Sequence, residues 1–170
     1  PWLATEKVDG TSLSVFNSAD FGFTVCSRNL SLHDGENVYW ASARAAGLLD
    51  LIEPGWGIQG EIVGEGIQGN KLKLKGRKVL VFNVIKDDKY VPRSQWPQWA
   101  LNQSVPVLDV EFPADPEAAI AQADKLKSTI NVDVMAEGIV WHRVNGEGLF
   151  ELDYRACFKV INNSWLVKYE

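Results

Sequence analysis

Cysteine is scarce in this chain, and its scarcity excludes much. Cys26 and Cys157 stand alone among 170 residues, with no CxxC pair. A structural zinc site needs such spacing, so none is expected. Two cysteines make a weak case for a secreted disulfide scaffold, and both are expected as reduced, mostly buried thiols. His33 and His142 have no partners at ligand spacing and read as surface or structural residues. No apolar run approaches the roughly 18 residues that span a membrane. Glu6, Lys7 and Asp9 break up any leader-like start.

Strong positive charge is missing as well. The formal net charge is −5, which argues against coating nucleic acid by charge alone. The average hides a local bias. Lys71, Lys73, Lys75, Arg77 and Lys78 fall in one short stretch, while Asp109, Glu111, Asp115, Glu117 and Asp124 gather later. A basic surface on an acidic protein stays open. Asn29, Asn102 and Asn162 each begin an Asn-x-Ser match to the glycosylation pattern, common by chance. No repeat, low-complexity segment or linker is visible, so residues 1–170 read as one domain.

Alternation dominates what is present. It predicts strands over 2–8 and 11–17, joined as a hairpin by Asp9-Gly10, and a further strand over 21–26. Residues 36–52 have helical spacing, with Asp34 as cap and Pro54-Gly55 as stop. Strands fit 56–63, 71–75 and 78–86, with a turn at Lys86–Lys89; 94–102 is ambiguous. Val107–Val110 suits a strand. Asp115-Pro116-Glu117 starts a helix expected to reach Ser128. Strands follow at 137–144, 149–153 and 156–161, the first two joined across Asn145-Gly146, and Trp165–Tyr169 also alternates. The class is α+β, mainly antiparallel.

Gly64-Glu65-Gly66-Ile67-Gln68-Gly69 fits GxGxxG. That fingerprint needs a following helix to hold a pyrophosphate. Lys71-Leu72-Lys73-Leu74-Lys75 alternates instead, so a tight loop and an edge strand are expected. Its lysine face could track a phosphate backbone.

Lys7 precedes an Asp-Gly by one residue, within Glu6-Lys7-Val8-Asp9-Gly10. An ammonium attacks only after losing its proton, which burial or nearby cations favour. A nucleophilic lysine thus asks for cations, and for carboxylates that hold a divalent metal against a triphosphate. The chain supplies these in order: Ser27-Arg28-Asn29, Gly60-Glu61 in "WGIQGEIVGEGIQGN", Val81-Phe82-Asn83-Val84, Ala136-Glu137-Gly138-Ile139-Val140, and "FKVINNSWLVKYE" with Lys159 and Lys168. This set resembles the covalent nucleotidyltransferase superfamily of DNA ligases, RNA ligases and mRNA capping enzymes, over nearly the whole chain. Within it the chain looks most like an ATP-dependent RNA ligase.

The resemblance implies antiparallel sheets with a few flanking helices and a nucleotide pocket between them. It implies that Lys7 attacks the ATP α-phosphate and carries AMP. Asp9, Glu61 and Glu137 would hold Mg²⁺ or Mn²⁺, through waters. Glu6 would flank adenine, through its backbone; Phe82 would stack on adenine or else pack in the core. Arg28 would contact ribose or phosphate and then the RNA end, Glu61 also the ribose, and Lys159 the α-phosphate. Two positions depart from the pattern. Asn83 stands where many relatives have Asp, and Ile161 stands where the second lysine of the last motif often lies, leaving Lys168 as its substitute.

The partners implied are RNA 5′-phosphate and 3′-hydroxyl ends, in a duplex or RNA/DNA hybrid, for a monomeric, intracellular, cytoplasmic enzyme without membrane contact. An accessory nucleic-acid-binding domain is expected outside these residues, so self-adenylylation should run better than sealing. The alternatives are a DNA ligase domain, a GTP-using capping enzyme, or an inactive nucleotide- or RNA-binding module.

Overall fold

The computed structural model describes residues 1–144 and 156–170. The expected strand 149–153 and the Asn145-Gly146 turn lie outside them. In chain order the elements are β1 (Trp2–Lys7), β2 (Thr11–Ser18), β3 (Gly22–Cys26), β4 (Ser31–Leu32), α1 (Val38–Ala45), α2 (Leu48–Leu51), β5 (Trp56–Gly64), β6 (Arg77–Lys86), β7 (Lys89–Tyr90), α3 (Gln98–Asn102), β8 (Val107–Leu108), α4 (Pro116–Asp124), β9 (Gly138–Arg143), β10 (Cys157–Ile161) and α5 (Asn163–Tyr169). No helix among the described residues is long and apolar enough to cross a membrane. Contacts divide the chain into two compact units, Pro1–Asp9 with Val105–Glu170, and Gly10–Ser104.

The first unit is built on an antiparallel sheet in the order β10-β9-β1-β8. Alternation sorts its side chains onto two faces. One face, with Ala4, Leu108, Ile139 and Trp141, packs on Ala123 of α4 and is flanked by Trp2, Val110, Leu126 and Val160. Ile139 is fully buried, and such a side chain contributes about 1.5–3 kcal/mol. The other face carries Thr5, Lys7, His142 and Lys159, placed there by the pairs Lys7↔Gly138, Thr5↔Val140, Leu3↔His142 and Lys159↔Val140. His142 Nε2 lies 2.9 Å from Thr5 Oγ1, a structural role as expected.

The second unit has a six-stranded antiparallel sheet, β4-β3-β2-β5-β6-β7. Leu13, Val15, Val25, Ile58, Ile62, Val81 and Val84 pack with Trp40, Ala43, Leu48 and Ala100. Its other face is polar, with Ser12, Ser14, Gln59 and Glu61 in register. Every tryptophan is buried or half-buried, in keeping with core roles.

Several expectations need correction. β1 and β2 are not a hairpin. They lie in different sheets, and Asp9-Gly10 carries the chain from one to the other. Gly10 is a glycine for space, since a Cβ there would collide with the Ile62 carbonyl oxygen. The helix over 36–52 is two helices parted at Gly47, whose φ is 72°. Its cap is Asn37, which accepts from the Trp40 N–H. Asp34 instead pairs with Arg44 at 2.5 Å, which holds its carboxyl below the usual range.

Residues 71–75 form no strand. Asn70 bonds Leu74 twice, donating to its carbonyl (2.9 Å) and accepting from its N–H (3.0 Å), so local side-chain bonding displaces the ladder. α4 ends at Asp124 rather than Ser128 because residue 127 bridges Met135 instead. Trp165–Tyr169 is helical, capped by Asn162. The ambiguous 94–102 holds α3 after a 3-10 turn at Arg93–Gln95. Cys157 is exposed and Cys26 half-buried, neither in a disulfide. Cys157 sits on β10 two residues from exposed Lys159, on the same side of the sheet.

Candidate active site

Lys7 ends β1 and meets Glu137, which directly precedes β9. Lys7 Nζ donates to Glu137 Oε1 at 2.5 Å, with 21% and 11% of the two side chains exposed. The second carboxylate oxygen, Oε2, is buried with no hydrogen-bond partner among the described residues. Backbone pairing sets this meeting, since Lys7 is opposite Gly138 in the ladder. A Cβ at Gly138 would collide with the Val160 carbonyl oxygen, so a glycine lets β10 close on the strand beside Lys7.

Asn162 fixes Glu137 from the other end. Its backbone N–H donates to the Glu137 carbonyl at 2.8 Å. Its Nδ2 donates to Ala136 O at 3.2 Å. Its Oδ1 accepts from the Ser164 and Trp165 N–H groups and so caps α5. It is wholly buried, which rules out the glycan acceptor its sequence suggested. Sequence reasoning passed over its capping role, although an Asn before a short apolar run is a cap signal.

Lys159 shares the Lys7 face of the sheet, exposed and without an ion pair among the described residues. Two strands and two residues separate them, about 12 Å at Cα on a flat sheet. Among the described residues, the charged group at contact range of Lys7 Nζ is a carboxylate, that of Glu137. Ile161 takes the sheet position opposite Gly138. Lys168 is instead on α5, with its ammonium 5.2 Å from the Tyr169 ring, and is not brought onto this sheet face. Asp9 is half-buried in the link after β1.

Glu6 points away from Lys7, as neighbours on a strand must. Its Oε2 accepts from Thr129 N–H (2.8 Å) and Oγ1 (2.7 Å), and its Oε1 is buried without a partner among the described residues. Its backbone N–H donates to Pro106 O at 2.9 Å.

Glu61, Phe82 and Arg28 belong to the second unit. Glu61 is half-buried on β5, between Ser12 and Leu80 in register. The ladder slips here: Gln59 faces Asn83 but Gly60 faces Val81, so Phe82 is an extra residue on β6. A bulge of this kind re-aims a side chain. Phe82 stays half-buried and outside the core cluster, while Val81 and Val84 fill it. Asn83 is buried and donates to Gln59 Oε1 at 2.6 Å, a structural use for the position where many relatives carry Asp. Arg28 is exposed in the Ser27–Leu30 turn and makes no ion pair among the described residues.

Among the described residues no three His, Cys, Asp or Glu side chains form a ready cage for a metal ion. The buried, unpartnered Oε2 of Glu137 nevertheless fits a hydrated divalent cation, which a carboxylate can hold through waters.

The RNA ligase family model matches residues 1–161. The chain belongs to the RNA ligase family. Solved structures of Naegleria gruberi RNA ligase are similar to this family member. With PPi, that protein is 30% identical with a TM-score of 0.84 over 99% of this chain and 51% of its own. A mutant of it with ATP and Mn has a TM-score of 0.83, 30% identity, and covers 98% and 51%. Another with AMP and Mn gives the same values. The chain therefore spans about half the length of the RNA ligase it matches. No match was found among curated proteins.

Proposed function

We propose that residues 1–170 act as the adenylyltransferase domain of an ATP-dependent RNA ligase. The observation that carries this is the Lys7–Glu137 pair, in a chain of the RNA ligase family. Lys7 Nζ attacks the α-phosphorus of ATP. An N–P bond forms, the bond to pyrophosphate breaks, and AMP stays on the lysine. Glu137 Oε1, already hydrogen-bonded to Nζ, is the nearest acceptor for the proton that Nζ must lose.

Lys159 steadies charge on the α-phosphate as it develops in the transition state. Phe82 stacks on adenine, Arg28 holds ribose or phosphate, and Glu61 binds the ribose. Glu6 flanks adenine through its backbone, and Lys168 adds a cation for the phosphates. Asp9, Glu61 and Glu137 would hold Mg²⁺ or Mn²⁺ through waters; the bound metal supplies charge neutralisation on the phosphates. AMP then passes to an RNA 5′-phosphate, and attack by a 3′-hydroxyl seals the strand and frees AMP. A nicked duplex or hybrid and a monomeric enzyme suit this reading. An intracellular, cytoplasmic location suits this reading.

The test uses α-labelled ATP with Mg²⁺ or Mn²⁺. Acid-labile label should appear on the protein, vanish with a chelator, and be absent from Lys7→Ala. Label on Lys7→Ala would remove Lys7 from the role. Labelling by GTP instead of ATP would point to a capping enzyme, and transfer to DNA ends alone to a DNA ligase.

A further inference from the structure

The loop between β5 and β6, together with the first residues of β6, takes no part in the nucleotide chemistry above, yet this stretch is highly charged. Lys73, Lys75, Arg77 and Lys78 are all exposed, and no hydrogen bond or ion pair engages their side chains among the described residues. Four uncompensated cations within six residues are unusual on a protein of net charge −5.

Lys73 and Lys75 lie in the loop itself, whose backbone has a defined shape, and Arg77 and Lys78 open β6 directly after it. Ile67 and Leu72 are buried, at 6% and 7% exposure, and anchor it to the core. The paired bonds between Asn70 and Leu74 clamp its turn. Gln68, Asn70 and Lys73 have φ of 48°, 48° and 54°, the left-handed region. Such conformations cost on the order of 1 kcal/mol each and collect at ligand clamps. Beside the loop lies an open groove of about 590 Å³, with Arg77 and Lys78 on one wall, Ala41 and Ala45 of α1, and Asn102 and Gln103. Exposed cations, side-chain amides and small residues suit a sugar–phosphate strand, whereas the core of a protein interface would need large apolar or aromatic side chains.

We propose that this loop and groove bind the phosphodiester backbone of the RNA to be sealed. The proposal rests on the ligase reading and adds to it a surface separate from the nucleotide-handling residues. The cations serve as point contacts to phosphate, without base reading, so binding is independent of sequence and weakens with salt.

The experiment compares wild type with the combined variant Lys73→Gln, Lys75→Gln, Arg77→Gln and Lys78→Gln. It measures binding of a fluorescent 5′-phosphorylated RNA oligonucleotide across a salt series, with and without ATP. The variant should bind at least tenfold more weakly, with the salt slope smaller by about 3, since each lost contact removes about 0.7–0.9. Its self-labelling with ATP should equal wild type. Lys86→Gln with Lys89→Gln, exposed lysines elsewhere on the unit, should leave RNA binding unchanged. If the fourfold variant fails to fold, the pairs Lys73→Gln/Lys75→Gln and Arg77→Gln/Lys78→Gln are read instead.

Unchanged affinity and slope in the loop variant overturn the proposal. So does an equal loss in the control pair, or displacement of RNA by polyglutamate as readily as by unlabelled RNA, which would point to an acidic protein partner. Absence of ATP labelling in wild type counts against the ligase reading, while the ATP-free binding arm still judges the surface.

Discussion

Lys7 Nζ and Glu137 Oε1 lie 2.5 Å apart, at adjoining strand ends and 130 residues apart in sequence. The proposed attack needs this pair twice, first to hold the amine and then to receive its proton. Glu137→Gln keeps the shape and removes the charge. Its labelling rate should fall about 100-fold or more, the scale seen when one preorganised electrostatic partner is lost. Lys7→Arg should give no label at all, because charge survives but the nucleophile does not. Single-turnover labelling measures both, and a Glu137→Gln rate within threefold of wild type would remove Glu137 from the chemistry.

Lys159 and Lys168 answer to different surroundings. Lys159 projects from the same sheet face as Lys7, whereas Lys168 sits against Tyr169 on α5. Lys159→Ala should slow labelling by about 100-fold, and Lys168→Ala should slow it less. Both are exposed, so unfolding free energy should stay within about 0.5 kcal/mol of wild type. A larger kinetic loss at Lys168 would reverse the assignment of the two cations.

The family was legible in the sequence because its motifs depend on order and residue type. Lys7, Glu61, Phe82, Glu137 and Lys159 are recognisable as a series before any strand is paired. Pairing itself was not legible. Alternation over 2–8 and 11–17 announces two strands but cannot say that they join different sheets, and Asp9-Gly10 looks like a hairpin turn whichever holds. Lys71–Lys75 alternates faultlessly and still makes a loop, since Asn70 bonds locally. Trp165–Tyr169 is too short for its period to decide between strand and helix. The bulge at Phe82 leaves no mark, because it is a slip of register against Gln59 and Gly60 on another strand.

That bulge separates two readings of Phe82. A core phenylalanine cut to alanine costs about 3–5 kcal/mol. One outside the core cluster, stacked on adenine, costs little stability and much affinity. Phe82→Ala should raise the ATP concentration for half-maximal labelling by about tenfold, since base stacking is worth about 1–3 kcal/mol. Urea unfolding should move by less than about 1 kcal/mol. The opposite pattern, a large stability loss with unchanged ATP dependence, would return Phe82 to the core.

Asn162 makes the strongest case for a positioning residue. It caps α5 with its oxygen and holds the Ala136 carbonyl with its nitrogen, while its backbone N–H holds Glu137. Asn162→Ala loses the cap, about 1 kcal/mol, and leaves a buried carbonyl without its donor, about 1–3 kcal/mol more. Denaturant unfolding should register the sum. Asn162→Asp keeps the cap acceptor but turns a carboxylate oxygen toward the Ala136 carbonyl. It should therefore retain α5 while loosening the segment that carries Glu137. If Asn162 acts through Glu137, Asn162→Asp slows labelling at saturating ATP more than it changes the half-maximal ATP concentration. If it were only a helix cap, Asn162→Asp would label like wild type, and that result would confine it to stability.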